Sequence, residues 1–143
     1  MKLTSIAAGL MGLSIGFCSV AFAGDYFPPE RIHCKSSAAG RMSCEGFNHQ
    51  YLTEDTFTAN LTDKDEIFNF KSGVAYYTPS MNETSIFFTY NNSFAKLVKL
   101  KSTSTSIRPD LESAGWKKVR KDTYVCNTGY MSCPITNLPG SSK

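Results

Sequence analysis

Two pairs of cysteines, each closing a short loop, constrain the fold of this 143-residue chain more than any other feature. The first loop runs from Cys34 to Cys44 and the second from Cys126 to Cys133, and both end in the pentad Gly-x-Met-Ser-Cys. The fifth cysteine, Cys18, lies in an apolar N-terminal stretch. Four cysteines lie outside that stretch. An even number of cysteines in an exported chain indicates disulfides rather than free thiols.

The first 23 residues have the pattern of a secretory signal peptide. Lys2 supplies a basic start, an apolar run follows, and Ala21-Phe22-Ala23 provides a small-x-small cleavage site. An uncleaved membrane anchor is the alternative, but we expect cleavage and no stable membrane insertion afterwards. Residues 24–143 then form a single secreted domain, periplasmic or extracellular. The short basic start and the Ala-x-Ala ending are typical of a bacterial leader.

Turn chemistry predicts how the four remaining cysteines pair. Ala38-Ala39-Gly40 suits a three-residue hairpin loop ending in a left-handed glycine, which sets the cysteines of the first loop opposite each other. Gly129-Tyr130 suits a two-residue turn with glycine first, which does the same for the second loop. Directly opposed antiparallel residues have Cα atoms about 4.5 to 5.5 Å apart, a distance that a disulfide accepts. We therefore expect two local disulfides, each within its own hairpin.

The segments between the cysteine loops have the composition of β-strands. Residues 66–78 predict one long strand with a bulge or bend at Ser72-Gly73, and residues 84–90 predict the most apolar strand. Residues 109–115 begin with proline and end at glycine, which predicts a short helix. The predicted fold is all-β, a small antiparallel β-sandwich or barrel with one short helix and two disulfide-stapled hairpins.

Side chains able to catalyse a reaction are few in this sequence. The two histidines are His33 and His49, and either could work with a carboxylate such as Glu45 in a small hydrolase of the nuclease or cell-wall type. Alternation along the first hairpin places His33 on the surface. The cysteine spacings do not match zinc sites, and the sequence has no phosphate-binding or calcium-binding loop motif. We therefore predict no catalytic residue, no metal and no cofactor.

Aromatic and basic residues favour binding instead. Acidic residues gather in the first half of the chain and basic residues in the later part. A basic face can attract an anionic partner, although lysines also keep strand edges from pairing. Aromatic side chains can form a recognition surface, although most must fill the core of a domain this small. The candidate binding residues are Tyr76, Tyr77, Trp116, Lys117, Lys118 and Tyr130, the last at the predicted tip of the second hairpin.

Together these patterns predict an exported, disulfide-stabilised, non-catalytic binding module that recognises a protein or an envelope polymer and no nucleic acid. Two alternatives remain: a small secreted hydrolase using His33 or His49 with a carboxylate, and a structural component of a surface assembly. Both histidines and a carboxylate in one cleft would favour the hydrolase. A flat aromatic patch with a basic rim would favour binding, and a long unpaired strand edge would favour assembly.

Overall fold

A computed structural model describes residues 26–58 and 60–137. The predicted signal peptide lies outside the described residues, as do residues 24–25 and 138–143. The described part of the chain contains ten strands and one 3-10 turn, at Tyr130–Ser132. The strands are β1 (Arg31–Ser36), β2 (Met42–Glu45), β3 (Leu52–Thr58), β4 (Glu66–Thr78), β5 (Glu83–Asn91), β6 (Leu97–Ser102), β7 (Ile107–Pro109), β8 (Lys117–Arg120), β9 (Thr123–Cys126) and β10 (Ile135–Asn137).

Eight of these strands form one antiparallel sheet that curls into a nearly closed barrel, which confirms the predicted fold class. The order is β2-β1-β4-β5-β6-β3, while β9 pairs with the second half of β4 and β8 pairs with β9. The outermost strands of the path meet where the backbone N–H of Cys44 donates to Oε1 of Glu54, at 3.1 Å. β7 and β10 form a separate two-stranded sheet, and Tyr26 bridges to Ile135 in β10.

The barrel interior is filled by every second residue of its strands. In β5, Thr84, Ile86, Phe88 and Tyr90 are all buried, and the residues between them are half-buried on the outside. Each large apolar side chain buried in this way contributes about 1.5 to 3 kcal/mol. The hydroxyl of Tyr90 donates to the Pro29 carbonyl at 3.0 Å, and burial raises the pKa of this phenol. The core therefore forms one cluster, and the Tyr90 hydroxyl within it has a hydrogen-bond acceptor.

The first cysteine hairpin has the predicted register. Cys34 lies opposite Cys44 with a Cα–Cα distance of 4.1 Å, and the two form a disulfide. Gly40 has a φ of 69°, the left-handed conformation that the three-residue loop requires. The backbone N–H of Ser37 donates to the Arg41 carbonyl at 2.7 Å and closes the loop.

The second disulfide is also confirmed, with a Cα–Cα distance of 5.7 Å, but the predicted hairpin around it is wrong. β9 pairs with β4 on one side, where Cys126 lies opposite Gly73, and with β8 on the other. The residues after Cys126 therefore have no free strand edge to pair with. They turn back through the 3-10 turn instead, and this turn brings Cys133 to its partner.

Within residues 26–58 and 60–137, the one helical segment is the 3-10 turn, and the short helix predicted at residues 109–115 does not form. Residues 110–115 form successive turns, in which the Asp110 carboxylate accepts the Glu112 N–H at 3.0 Å. Pro109 is held in β7 opposite Ile135, so only a few residues remain before Gly115, too few to nucleate a helix. The bulge of β4 also differs, because the register shifts between Phe70 and Ser72 rather than at the predicted Ser72-Gly73.

Glu66, at the start of β4, joins three segments of the barrel wall. Its carboxylate accepts hydrogen bonds from the Lys96 ammonium at 2.7 Å, and from the Thr62 backbone N–H and the Asn92 side-chain amide, both at 3.1 Å. The hydrogen bond from Lys96 contributes most to holding the pKa of Glu66 below its usual range. A carboxyl with a depressed folded-state pKa stabilises the fold above its unfolded pKa, and this stabilisation is lost as the pH falls through the folded value.

Glu66→Gln is expected to lower the free energy of unfolding at pH 7 by about 1 to 2 kcal/mol, because hydrogen bonds to a charged group are lost. The difference from wild type should shrink once the pH falls below about 4, where the wild-type carboxyl is protonated as well. Urea denaturation at pH 7 and pH 3 measures both effects. Glu30→Gln, at an exposed carboxylate 4.0 Å from Arg31, is the matched control and should change little at either pH. Equal pH dependence in wild type and Glu66→Gln would contradict the prediction.

Candidate functional site

A row of side chains crosses the outer face of the barrel on five adjacent strands. Cross-strand pairing places Lys117 beside Val125, Val125 beside Val74, Val74 beside Phe87, and Phe87 beside Lys101. The three apolar members are half-buried and the two lysines are exposed. Four strand spacings of about 4.8 Å separate the lysine backbones, so the row spans roughly 19 Å.

The neighbouring rows extend this surface. Tyr76, which is 48% exposed, lies beside Thr123 and Ser85, and its ring meets that of Phe87 edge-on at 6.1 Å. Arg120 lies beyond Thr123. On the opposite side, the register places Lys99 beside Thr89. We call this surface the outer patch: an apolar centre of Val74, Tyr76, Phe87 and Val125 with a rim of Lys99, Lys101, Lys117 and Arg120.

The cations of the outer patch have no carboxylate partner among the described residues. Among the described residues, the ion pairs are Arg31–Glu30, Lys35–Asp65 and Lys96–Glu66, and none of them involves the rim. Two acidic residues lie at the margins of the same side, Asp55 in the bulge of β3 and Glu83 at the start of β5. The patch is therefore apolar in the middle and positive around most of its edge.

A cavity of about 650 Å³ opens at the end of the barrel where β4 leads into β5, and we call it the mouth cavity. Tyr77 and Tyr124 reach it from inside the barrel, because they alternate with the outward-facing residues of β4 and β9. Arg108 of β7 lies across it, with its guanidinium 5.8 Å from the centre of the Tyr77 ring. Asp110, Leu111 and Glu112 of the following turn complete this part of the wall.

Arg108 is fixed in position by backbone oxygens. Its Nη1 donates to the Thr105 carbonyl, and its Nη2 donates to the Asn82 carbonyl at 3.0 Å. The Tyr77 hydroxyl donates to Oδ1 of the same Asn82 at 3.1 Å. These contacts hold one wall of the mouth cavity rigid without neutralising the charge of the guanidinium.

The residues predicted from sequence for binding are distributed over several places. Tyr76 and Lys117 lie in the outer patch, whereas Tyr77 lines the mouth cavity. Trp116 is only 6% exposed and belongs to the core. Lys118 is exposed but lies opposite Tyr124, on the other side of β8 from Lys117, and Tyr130 is half-buried in the 3-10 turn.

Sequence reasoning missed Phe87, Val74 and Lys101 as a surface, and Arg108 as a cavity residue. The alternation in β4 is the signal that could have found the patch, because small Gly73 and Ala75 point inward while larger side chains point outward. Nothing local in the sequence signals that Arg108 lies over a tyrosine ring.

The histidines lie apart from both surfaces. His33 is exposed and faces Glu45 across the first hairpin, as alternation predicted, while His49 is exposed and packs against the Phe47 ring at 4.2 Å. Neither lines the mouth cavity. Within residues 26–58 and 60–137, no three histidine, cysteine, aspartate or glutamate residues are grouped so as to hold a metal ion.

Comparison with protein-family models, curated proteins and solved structures finds no match to this chain. In the part of the chain that the structure describes, no helix has the length and apolar character needed to cross a membrane. The class that the fold defines is a nearly closed antiparallel β-barrel with two local disulfides. Its function has to be inferred from the geometry of its surfaces.

Proposed function

We propose that the protein is an exported, non-catalytic binding module whose outer patch recognises an acidic protein. The observation that carries the proposal is the row from Lys117 to Lys101. Three apolar side chains lie there between two cations that form no ion pair with any residue the structure describes. The disulfides support export, because such bonds persist in oxidising compartments such as the periplasm or the medium.

The composition of the outer patch favours a protein over an envelope polymer. Protein interfaces have an apolar centre that loses its water on binding and a polar rim, and tyrosine and arginine are common among their most important residues. A polyanionic polysaccharide could pair with Lys101 and Lys117 but would leave Val74 and Val125 without an apolar partner. The partner should therefore carry apolar side chains among its carboxylates.

Strand addition to a surface assembly has weaker support. The exposed edge strand β8 has four residues, and its basic side chains, Lys117, Lys118 and Arg120, discourage pairing with another strand. A hydrolase has less support still, because His33 and His49 are on the surface away from the mouth cavity.

Binding to defined probes tests the proposal. The full chain, purified with its disulfides intact, is titrated with a peptide that alternates glutamate with leucine and phenylalanine, with poly-L-glutamate and with an anionic polysaccharide. The alternating peptide should bind most tightly, and its affinity should fall as salt is raised and the Debye length shortens. Preference for the polysaccharide or for poly-L-glutamate would contradict recognition of an acidic protein with apolar contacts.

Charge reversal assigns the binding to the outer patch. Lys101→Glu with Lys117→Glu should weaken binding of the alternating peptide at least tenfold, a difference of about 1.4 kcal/mol. The matched control, Lys64→Glu with Arg41→Glu, changes net charge equally at two exposed residues outside the patch and should bind like wild type. Equal losses in both double variants would show that net charge, not the patch, governs binding. A protein retained from cell extracts by wild type and control, but not by the patch variant, is then the natural partner.

A further inference from the structure

The mouth cavity combines charged and aromatic groups that do not satisfy one another. Arg108, Asp110 and Glu112 line the same cavity, yet none of the ion pairs among the described residues joins the guanidinium to either carboxylate. Two of the guanidinium N–H groups donate to carbonyls, which leaves three of its five donors for other partners. Charges of both signs therefore line one cavity without pairing.

The carboxylate side of the cavity is also ordered. One oxygen of Asp110 accepts the Glu112 N–H at 3.0 Å, and the Asp110 carbonyl accepts the N–H of Ser113 at 3.2 Å, which fixes the turn. The other oxygen of Asp110 and the Glu112 carboxylate have no hydrogen bond to the described residues. Tyr77, Tyr124 and Leu111 supply the aromatic and apolar part of the cavity wall.

A ligand that satisfies this cavity needs an anion, a cation and an apolar group. We propose that the mouth cavity binds a zwitterionic amino acid or dipeptide with an apolar or aromatic side chain. The ligand carboxylate pairs with Arg108, its ammonium pairs with Asp110 and Glu112, and its side chain packs against the tyrosine rings. The cavity volume of about 650 Å³ is in the range of small-molecule sites, which combine apolar walls with a few placed polar groups.

This site is independent of the outer patch because strand alternation separates the two. Tyr76 points to the patch and the next residue, Tyr77, points to the cavity. The same holds on β9 for Val125 and Tyr124. Each site therefore has a control variant one residue away in sequence, and failure of one proposal leaves the other intact.

Calorimetric titration of the full, oxidised chain with L-phenylalanine and L-phenylalanyl-L-leucine tests the proposal. At least one of these zwitterions should bind. Its N-acetylated analogue, which lacks the cation, and its C-terminal amide, which lacks the anion, should each bind at least tenfold more weakly. No binding by either zwitterion, or equal binding by a blocked analogue, would overturn the proposal. Tighter binding by the amide would indicate a site for simple cations and would overturn it equally.

Two conservative substitutions locate the site. Asp110→Asn with Glu112→Gln removes both negative charges, and the side-chain oxygen at position 110 can still accept the backbone N–H of residue 112. In this double variant the preference for a free over an acetylated amino group should fall at least fivefold. Tyr76→Ala, on the outer patch, should keep the full preference. A preference unchanged in the double variant, or lost equally in Tyr76→Ala, would refute the assigned site.

Discussion

Replacing Trp116 by alanine is expected to lower the free energy of unfolding by about 3 to 5 kcal/mol, because a large buried ring is removed. The indole packs against Phe88 with ring centres 6.3 Å apart, and its edge abuts the backbone at Gly73. Its Nε1–H donates to the Pro134 carbonyl at 2.8 Å. The substitution therefore opens a void and also removes one of the two donors to this carbonyl, which keeps the Asp110 N–H at 3.0 Å.

Urea denaturation followed by circular dichroism measures this loss, since the chain has a single tryptophan and the variant has no indole fluorescence. Trp116→Phe separates the two contributions, because it keeps a ring and loses the N–H donor, so its cost should be smaller. Phe94→Ala is the exposed aromatic control. Phe94 is 80% exposed, so its removal should change stability by no more than about 0.5 kcal/mol.

The result also decides what Trp116 is for. From sequence it was a candidate recognition residue together with Tyr76 and Lys117, which the structure places on the outer face. A loss below about 1 kcal/mol in Trp116→Ala would be similar to that of surface substitutions. It would contradict a core role for Trp116 and favour a role in recognition. A loss in the expected range would show that Trp116 anchors the preceding turns, residues 110–115, to the core.

Local turn chemistry was sufficient to predict the first hairpin. The three-residue loop requires a left-handed conformation at Gly40, which few other residues adopt. This requirement alone fixes the register, in which Ser36 pairs with Met42 and Cys34 pairs with Cys44. The cysteine pairing follows from the register. The composition of residues 66–78 and 84–90 likewise predicted the two strands that the structure shows there as β4 and β5.

Non-local pairing is what the sequence could not show. The second cysteine loop has the residues of a tight hairpin, but β4 and β8 occupy both edges of β9, and only the tertiary fold reveals this. The predicted helix failed for a similar reason, since pairing of Pro109 with Ile135 leaves too few residues for it.

The two candidate sites depend on the same long-range order. Alternation alone separates Tyr76 from Tyr77, but it does not say which strand lies beside β4. The outer patch exists because β9 and β5 flank the second half of β4 and bring Val125 and Phe87 to Val74. The mouth cavity requires Arg108, from the separate sheet, to lie over a β4 side chain.

Gly115→Ala is expected to lower the free energy of unfolding by about 3 kcal/mol, because the added methyl group overpacks a site filled by backbone. A Cβ at this position would overlap the Ser132 carbonyl and lie 2.7 Å from the Ser132 Cβ. Backbone atoms cannot rotate away as a flexible side chain can. The turns at 110–115 and the 3-10 turn must therefore separate.

Gly40→Ala is the matched control for this substitution. Gly40 has a left-handed φ of 69° and open space around it, so its cost should be only the backbone penalty of about 1 to 2 kcal/mol. A loss in Gly115→Ala no larger than that of Gly40→Ala would contradict the close approach to Ser132.

A second measurement shows where Gly115→Ala acts. Ser132 is next to Cys133, so displacing the 3-10 turn should expose the Cys126–Cys133 bond to solvent while leaving Cys34–Cys44 unchanged. Mass-spectrometric mapping during reduction by dithiothreitol should therefore find the second disulfide reduced earlier in the variant than in wild type. Faster reduction of both bonds would indicate global unfolding instead. The pentad Gly-x-Met-Ser-Cys closes both loops, but Ser132 packs against Gly115 whereas Ser43 pairs along a strand with Lys35, so one sequence signal serves two different local structures.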